Sequence, residues 1–248
     1  MQLKILGSSS SGNCYILENQ TESLIIECGV RIEKIKKCLN YNISKVAGCL
    51  ISHEHKDHCK AVNEVLATGI TCYASAGTIK GMEVPINHHR INIINAGRQF
   101  NVGSFKVIPF AVQHDAYEPL GFLINHSETG TVLFVTDTYY VKDTFRGLNN
   151  IIVEANYSKE ILDQKMRDGA TPDFLRNRIL KSHMSLETCK ELLSANDLSQ
   201  VNNIVLIHLS DNNSNELQFK REVTELTGKT VYVAEAGLTI SNFDKQPF

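Results

Sequence analysis

The sequence lacks any apolar run approaching the roughly 18 to 20 residues that span a bilayer. Its start, "MQLKIL", passes into the polar "GSSSSGN" too soon for a signal peptide. A soluble, cytoplasmic protein with no membrane partner is expected. A C-x-x-C pair is also missing: Cys14, Cys28, Cys38, Cys49, Cys59, Cys72 and Cys189 are odd in number and scattered. That suggests neither a zinc ribbon nor a disulfide framework, and most of these thiols are expected as small buried hydrophobes. No charge of one sign dominates. With 25 basic and 27 acidic residues, a formal net of -2, the molecule as a whole is not drawn to nucleic acid, although a local basic strip could still serve. No fixed-period repeat, low-complexity tail or linker-like shift in composition divides the 248 residues. One domain spanning 1–248 is expected.

What is present is a series of short strands and amphipathic helices. "QLKIL", "CYILE" and "SLIIE" read as strands, followed by a helix with Ile32, Ile35 and Leu39 on one face. "KVAGCLIS" reads as a buried strand. "CKAVNEVLAT" reads as one helix carrying Ala61, Val62, Val65 and Leu66 inward and ending at Gly69. From Thr71 to Thr136 strands dominate ("TCYAS", "INIIN", "FKVIPFAV", "GFLINH", "TVLFVT"). Then come the strand "NIIVEA", two helices over Ser158–Lys181 interrupted at "GATPD", a helix with Leu186, Cys189, Leu192 and Leu193 on one face, the strand "NNIVLIHLS", another helix and a last strand "TVYVAEAGLTI". This mixture implies an α/β domain of sheets covered by helices.

Three of nine histidines fall in "SHEHKDH": His53, His55 and His58, with Asp57 among them. Imidazole and carboxylate are good ligands for zinc and similar divalent ions, and H-x-H spacing at a strand end aims two rings the same way. Asp57 and His58 are carried round the turn into the next helix, where they can face a second ion. The opening "GSSSSGN" has neither the lysine nor the helix of a P-loop, and it is closely flanked by strands. It reads as a tight β-connection.

The H-x-H-x-D-H pattern at His53, His55, Asp57 and His58 resembles the signature of the metallo-β-lactamase superfamily, and the resemblance runs in order through most of the chain. His114 in "AVQHDAYEPLGF", Asp137 in "LFVTDT" and His208 in "VLIHLS" match that family's later ligand motifs. The resemblance implies a four-layer αββα sandwich and two divalent metal ions. One would take His53, His55 and His114, the other Asp57, His58 and His208, with Asp137 and a hydroxide between them. Zinc is the default for so many imidazoles, with manganese or iron as other occupants.

Glu154 in "IIVEANYS" and His183 in "SHMSLETCKELL" look like the glutamate and histidine of ribonuclease Z-type phosphodiesterases. There the histidine gives a proton to the leaving oxygen or steadies the phosphate, and the carboxylate orients it, which favours P–O over C–N cleavage. Asp57, Glu154 and His183 are accordingly the candidate catalytic residues. Only about 22 residues separate His114 from Asp137, which leaves no room for a tRNA-gripping arm. "GSSSSGN", "HDAYEPLGF" and "SHMSLE" are more similar to the YycJ-type members, associated with DNA exonuclease activity. This chain departs from their usual "DAG" with "ECG", so that Glu27 stands where an aspartate is usual. The expected function is a dinuclear metal-dependent phosphodiesterase, a nuclease acting on nucleic acid. A cyclic or signalling-nucleotide phosphodiesterase is the alternative, followed by a thioesterase or lactonase and by a metal-bound scaffold.

Ser9, Ser10, Asn13 and Tyr139 are candidate substrate contacts. His88, His89 and His126 read as surface residues, and "DNNSNE" as a turn capping the last helix. The basic residues Lys159, Lys165, Arg167, Arg176, Arg178 and Lys181 are interleaved with acids and read as a charged helix face, with phosphate contact as the other reading. A homodimer is left open as the assembly state.

Overall fold

The computed structural model describes residues 1–168 and 173–246. Its strands are β1 (Gln2–Gly7), β2 (Cys14–Glu18), β3 (Ser23–Ile26), β4 (Val46–Leu50), β5 (Cys72–Ala74), β6 (Ile91–Ile93), β7 (Phe100–Val102), β8 (Phe105–Ala111), β9 (Leu120–His126), β10 (Gly130–Val135), β11 (Leu148–Glu154), β12 (Asn203–Ile207), β13 (Thr230–Val233) and β14 (Thr239–Ile240). The helices are α1 (Ile32–Cys38), α2 (Lys56–Cys59), α3 (Val62–Ala67), α4 (Ala76–Gly81), α5 (Lys159–Arg167), α6 (Asp173–Ser182), α7 (Leu186–Ser194) and α8 (Glu216–Thr227).

Two seven-stranded sheets form, in the orders β14-β1-β2-β3-β4-β5-β6 and β13-β12-β11-β10-β9-β8-β7. Period-two alternation decides which face each side chain occupies. In β2, Tyr15 and Leu17 enter the apolar layer between the sheets, with Phe105, Phe122 and Phe134 opposite. Ile16 points to the other face, against Ile35 of α1, Val65 of α3 and Ile79 of α4. In the second sheet Ile152 faces inward, whereas Ile151 and Val153 pack against Leu186 and Leu193 of α7 and Phe219 of α8. Three apolar clusters between four layers make the αββα sandwich.

β3 to β6 are parallel, as are β10 to β13. Registers such as Ile26↔Leu50, Val135↔Val153 and Glu154↔Ile207 bring the carboxyl ends of these strands to one edge of the sandwich, where open α/β sheets place their sites. Among the described residues, no helix is long and apolar enough to cross a membrane.

Three expectations need correction. The single helix over "CKAVNEVLAT" is two short ones, α2 and α3, because the Ala61 N–H leaves the helical ladder to bond the Cys28 carbonyl. The single last strand is also two. β13 pairs with β12 in one sheet and β14 with β1 in the other, and the chain crosses between them at Gly237 (φ 98°), whose N–H bonds Ile5. The structure also shows a short strand, β7, that pairs with β8 in a hairpin across Gly103 and Ser104. His126 is buried, not solvated: it packs on Phe105 and lies 3.3 Å from the Glu22 carboxylate. "GATP" at 169–172 lies outside the described residues.

Candidate metal centre and active site

Each candidate ligand sits just past a carboxyl-terminal strand end or in the turn that follows. His53 and His55 leave β4, Asp57 and His58 open α2, His114 follows β8, Asp137 follows β10 and His208 follows β12. Asp137 (φ 45°), His208 (φ 55°) and Glu27 (φ 66°) occupy the left-handed region without being glycine. That conformation costs of order 1–3 kcal/mol per residue. It turns the chain sharply at the strand end and swings each side chain back over the sheet edge.

The seven side chains meet in two groups. Ligand atoms of His53, His55, His114 and Asp137 lie within 4.8 Å of one another, as do those of Asp57, His58, Asp137 and His208. Asp137 belongs to both, with Oδ2 at 3.6 Å from His53 Nε2, 3.3 Å from His58 Nε2 and 3.5 Å from His114 Nε2. Asp57 Oδ2 is 3.3 Å from His208 Nε2 and 3.4 Å from His58 Nε2.

Hydrogen bonding on the far side of the rings shows that the donor set suits divalent cations. His114 Nδ1–H donates to the Ser182 carbonyl at 2.7 Å, so its Nε2 lone pair faces His55 Nδ1 at 3.1 Å. His53 Nδ1 meets the Ser52 hydroxyl at 2.9 Å, while His53 Nε2 is buried with no hydrogen-bond partner among the described residues and faces the cluster. His58 Nδ1 lies 3.5 Å from Glu27 Oε2, and Glu27 Oε1 is fixed by the Ser52 N–H at 3.1 Å. An outward Nδ1 directed at a carbonyl, hydroxyl or carboxylate, with Nε2 turned inward, is the arrangement of metal-binding imidazoles.

Charges follow from the same contacts. Burial opposes a charged ring at His58, yet Asp137, Asp57 and Glu27 outweigh it and hold its pKa well above the ordinary value. His208 is likewise opposed by burial but is pushed up to about 10 by Asp137, Asp57 and Glu154. His53 goes the other way, since burial and the neighbouring His58 disfavour its protonation. Burial raises Glu27 despite His58.

A third group, Asp137, Glu154, His183 and His208, adjoins these two. Glu154 is fully buried and accepts from His183 Nδ1 at 2.7 Å, the Met184 N–H at 3.1 Å and the Thr138 N–H at 3.1 Å. The His183 ring stacks on His208 with centroids 5.4 Å apart and planes 12° apart. Burial works against its protonation, but Glu154 raises its pKa. Ser185 caps α7, its side chain accepting from the Thr188 N–H.

The glycine-serine loop packs behind α2. Asn13 is buried: its backbone N–H donates to the Asp57 carbonyl at 2.7 Å, and its amide lies 3.1 Å from His58 Nε2. Gly29 makes this approach feasible, because a Cβ there would overlap the Asp57 carbonyl oxygen. Ser9 bonds Ser11, and Ser10 is exposed. Tyr139 is 40% exposed, with its N–H on the Gln113 carbonyl beside His114. Sequence reasoning missed Ser8, which accepts from the His208 N–H at 2.9 Å, and Asn156, whose amide donates to the His208 carbonyl at 2.7 Å. Both lay inside stretches already singled out, but their shared partner, His208, comes from a segment remote in sequence.

The fold and the convergent His/Asp cluster define a metal-dependent hydrolase, and the chain belongs to the metallo-β-lactamase superfamily: the family model for the beta-lactamase superfamily domain matches residues 29–209. Among curated relatives it is 31% identical over 232 residues to the exodeoxyribonuclease YycJ of Bacillus anthracis, covering 88% of this chain and 86% of that one. It is also 31% identical over 260 residues to the exodeoxyribonuclease WalJ of Streptococcus pneumoniae, covering 98% and 93%. Among solved structures, the metallo-beta-lactamase fold protein YhfI from Bacillus subtilis superposes with a TM-score of 0.72 at 15% identity, over 97% of this chain and 99% of that one.

Proposed function

We propose that residues 1–248 form one cytoplasmic hydrolase domain that works as a dinuclear metal-dependent phosphodiesterase, cleaving DNA as an exonuclease. The observation that carries this reading is the Glu154–His183 pair, bonded at 2.7 Å and stacked on His208 at the margin of the ligand cluster. A phosphodiester expels a poor alkoxide leaving group, so a positioned proton donor is of most use there. The exodeoxyribonuclease relatives, which the chain matches over most of their length, support the choice of DNA.

His53, His55, His114 and Asp137 would hold one cation, and Asp57, His58, His208 and Asp137 the other. Two such ions, zinc by the donor set with manganese as the alternative, would activate water and neutralise charge on the attacked phosphate. The chain's own residues do the rest. Glu154 accepts the Nδ1–H of His183 and favours its charged form. The Nε2 proton is then available to the leaving oxygen. Ser52, Glu27 and the Ser182 carbonyl hold His53, His58 and His114 in orientation. Asn13 fixes Asp57 from behind, and Ser9, Ser10 and Tyr139 are assigned as substrate contacts.

Labelled single- and double-stranded DNA and RNA, a panel of cyclic nucleotides and bis-p-nitrophenyl phosphate, each with zinc or manganese, test the proposal. Metal-dependent release of nucleotides from DNA ends is expected. Rapid turnover of a cyclic nucleotide with negligible DNA degradation would reverse the substrate assignment.

A further inference from the structure

Helix α6 is tied to the centre at its carboxyl end, where the Ser182 carbonyl accepts the His114 Nδ1–H at 2.7 Å. One turn earlier, Arg178 Nε lies 3.5 Å from Asp115 Oδ2, and the other oxygen of Asp115 is 3.3 Å from His114 Nε2. A further turn out stands Phe174, 75% exposed. Four-residue spacing puts Ser182, Arg178 and Phe174 on one helical face, about 6 Å apart along the axis. Arg176 points the opposite way and pairs with Asp163 of α5 at 2.9 Å, so α5 holds the helix with its Arg178 face toward the His114 loop. Lys181, also exposed, adds a second cation to this end of the helix. From the ligand cluster outward the row therefore reads carbonyl anchor, guanidinium, aromatic ring.

We propose that this face of α6 grips the substrate strand beside the scissile bond: Arg178 exchanges Asp115 for a backbone phosphate and Phe174 stacks an unpaired base. The inference rests on the nuclease reading above. The Arg178–Asp115 pair is open to solvent and weak enough to be exchanged for a phosphate. A ring at Phe174 stacks any base, since every base offers a π-face, and an arginine at a phosphate adds affinity without reading sequence. For a chain with formal net charge -2, such a local contact replaces an extended basic track. A base must be unpaired to stack, so the row selects single-stranded or frayed ends.

The test is binding of a fluorescent deoxythymidine oligomer with phosphorothioate linkages to the metal-loaded protein, followed by anisotropy across salt concentrations. Phe174→Ala and Arg178→Ala are each expected to weaken binding about tenfold, and Arg178→Ala to reduce the salt slope by about 0.7. Arg221→Ala removes an equally exposed arginine on α8, 68% against 66% for Arg178, and is expected to change neither. The loss of turnover in both α6 variants should be greater on single-stranded DNA than on bis-p-nitrophenyl phosphate. Wild-type affinity and salt slope in both variants would overturn the proposal. Wild-type protein that hydrolyses the small ester but no nucleic acid would instead overturn the nuclease reading, and that result is seen before any variant is made.

Discussion

Replacing His183 by alanine separates proton donation from every other contribution of the site. The ring is held by Glu154 Oε1 at 2.7 Å and stacks on His208, and a general acid in such a position contributes about 10²- to 10⁴-fold. That range corresponds to about 3–5 kcal/mol of barrier. The buried Glu154 keeps two donors after the substitution, the Met184 and Thr138 N–H groups, so His183→Ala is expected to stay folded, as thermal melting would show. On DNA, kcat should fall by the full factor. On bis-p-nitrophenyl phosphate, whose nitrophenolate leaves without a proton, the loss should be far smaller. Glu154→Gln gives the matching pH test. Glu154 raises the His183 pKa, so removing its charge lets the ring lose its proton at lower pH and moves the alkaline limb of the kcat profile downward. An equal loss on both substrates, or an alkaline limb that does not move, would refute the assignment of His183 as the acid.

Asn13→Ala removes the amide beside His58 and the contact to the Asp57 carboxylate. A loss of about 10- to 100-fold in metal affinity, read by competition with a chelator, is expected for a residue that orients ligands in this way. Gly29→Ala forces a Cβ into the Asp57 carbonyl and should lower both Tm and metal content. Cation binding must displace the protons that the raised His58 and His208 carry below their pKa values, about 10 for His208. Apparent metal affinity should therefore rise with pH between 6 and 9, with proton release measurable by calorimetry in buffers of different ionisation enthalpy; an affinity that falls with pH contradicts this. Glu18, paired with Lys4 and Lys45, has its pKa lowered in the folded state. Its stabilisation is present above the ordinary glutamate value and lost as pH falls through the lowered one, so Glu18→Gln should flatten the acid side of a Tm profile.

The cluster His53–His58 was legible because its ligand types crowd six positions between a buried strand and an amphipathic helix. Asp137, His114 and His208 are single residues at strand ends, and only their order relative to that cluster marked them. The four layers were readable from alternation: Tyr15 and Leu17 face one way and Ile16 the other. What stayed hidden depended on partners remote in sequence. His126 is buried because Glu22 comes from another strand connection 104 residues away. Ser8 and Asn156 hold His208 from segments 200 and 52 residues away, a separation that no local pattern records. The apolar continuity of "TVYVAEAGLTI" concealed a crossing between sheets, since β13 and β14 each satisfy a strand pattern alone.

Metal-stripped protein, supplied with end-labelled DNA and then with zinc or manganese added back singly, shows whether the His/Asp cluster makes this chain a metal-dependent exonuclease. No cleavage is expected without metal, and stepwise loss of terminal nucleotides once metal is restored. Undiminished cleavage by the stripped protein, or no hydrolysis of any nucleic acid or small phosphodiester with either metal, would contradict this.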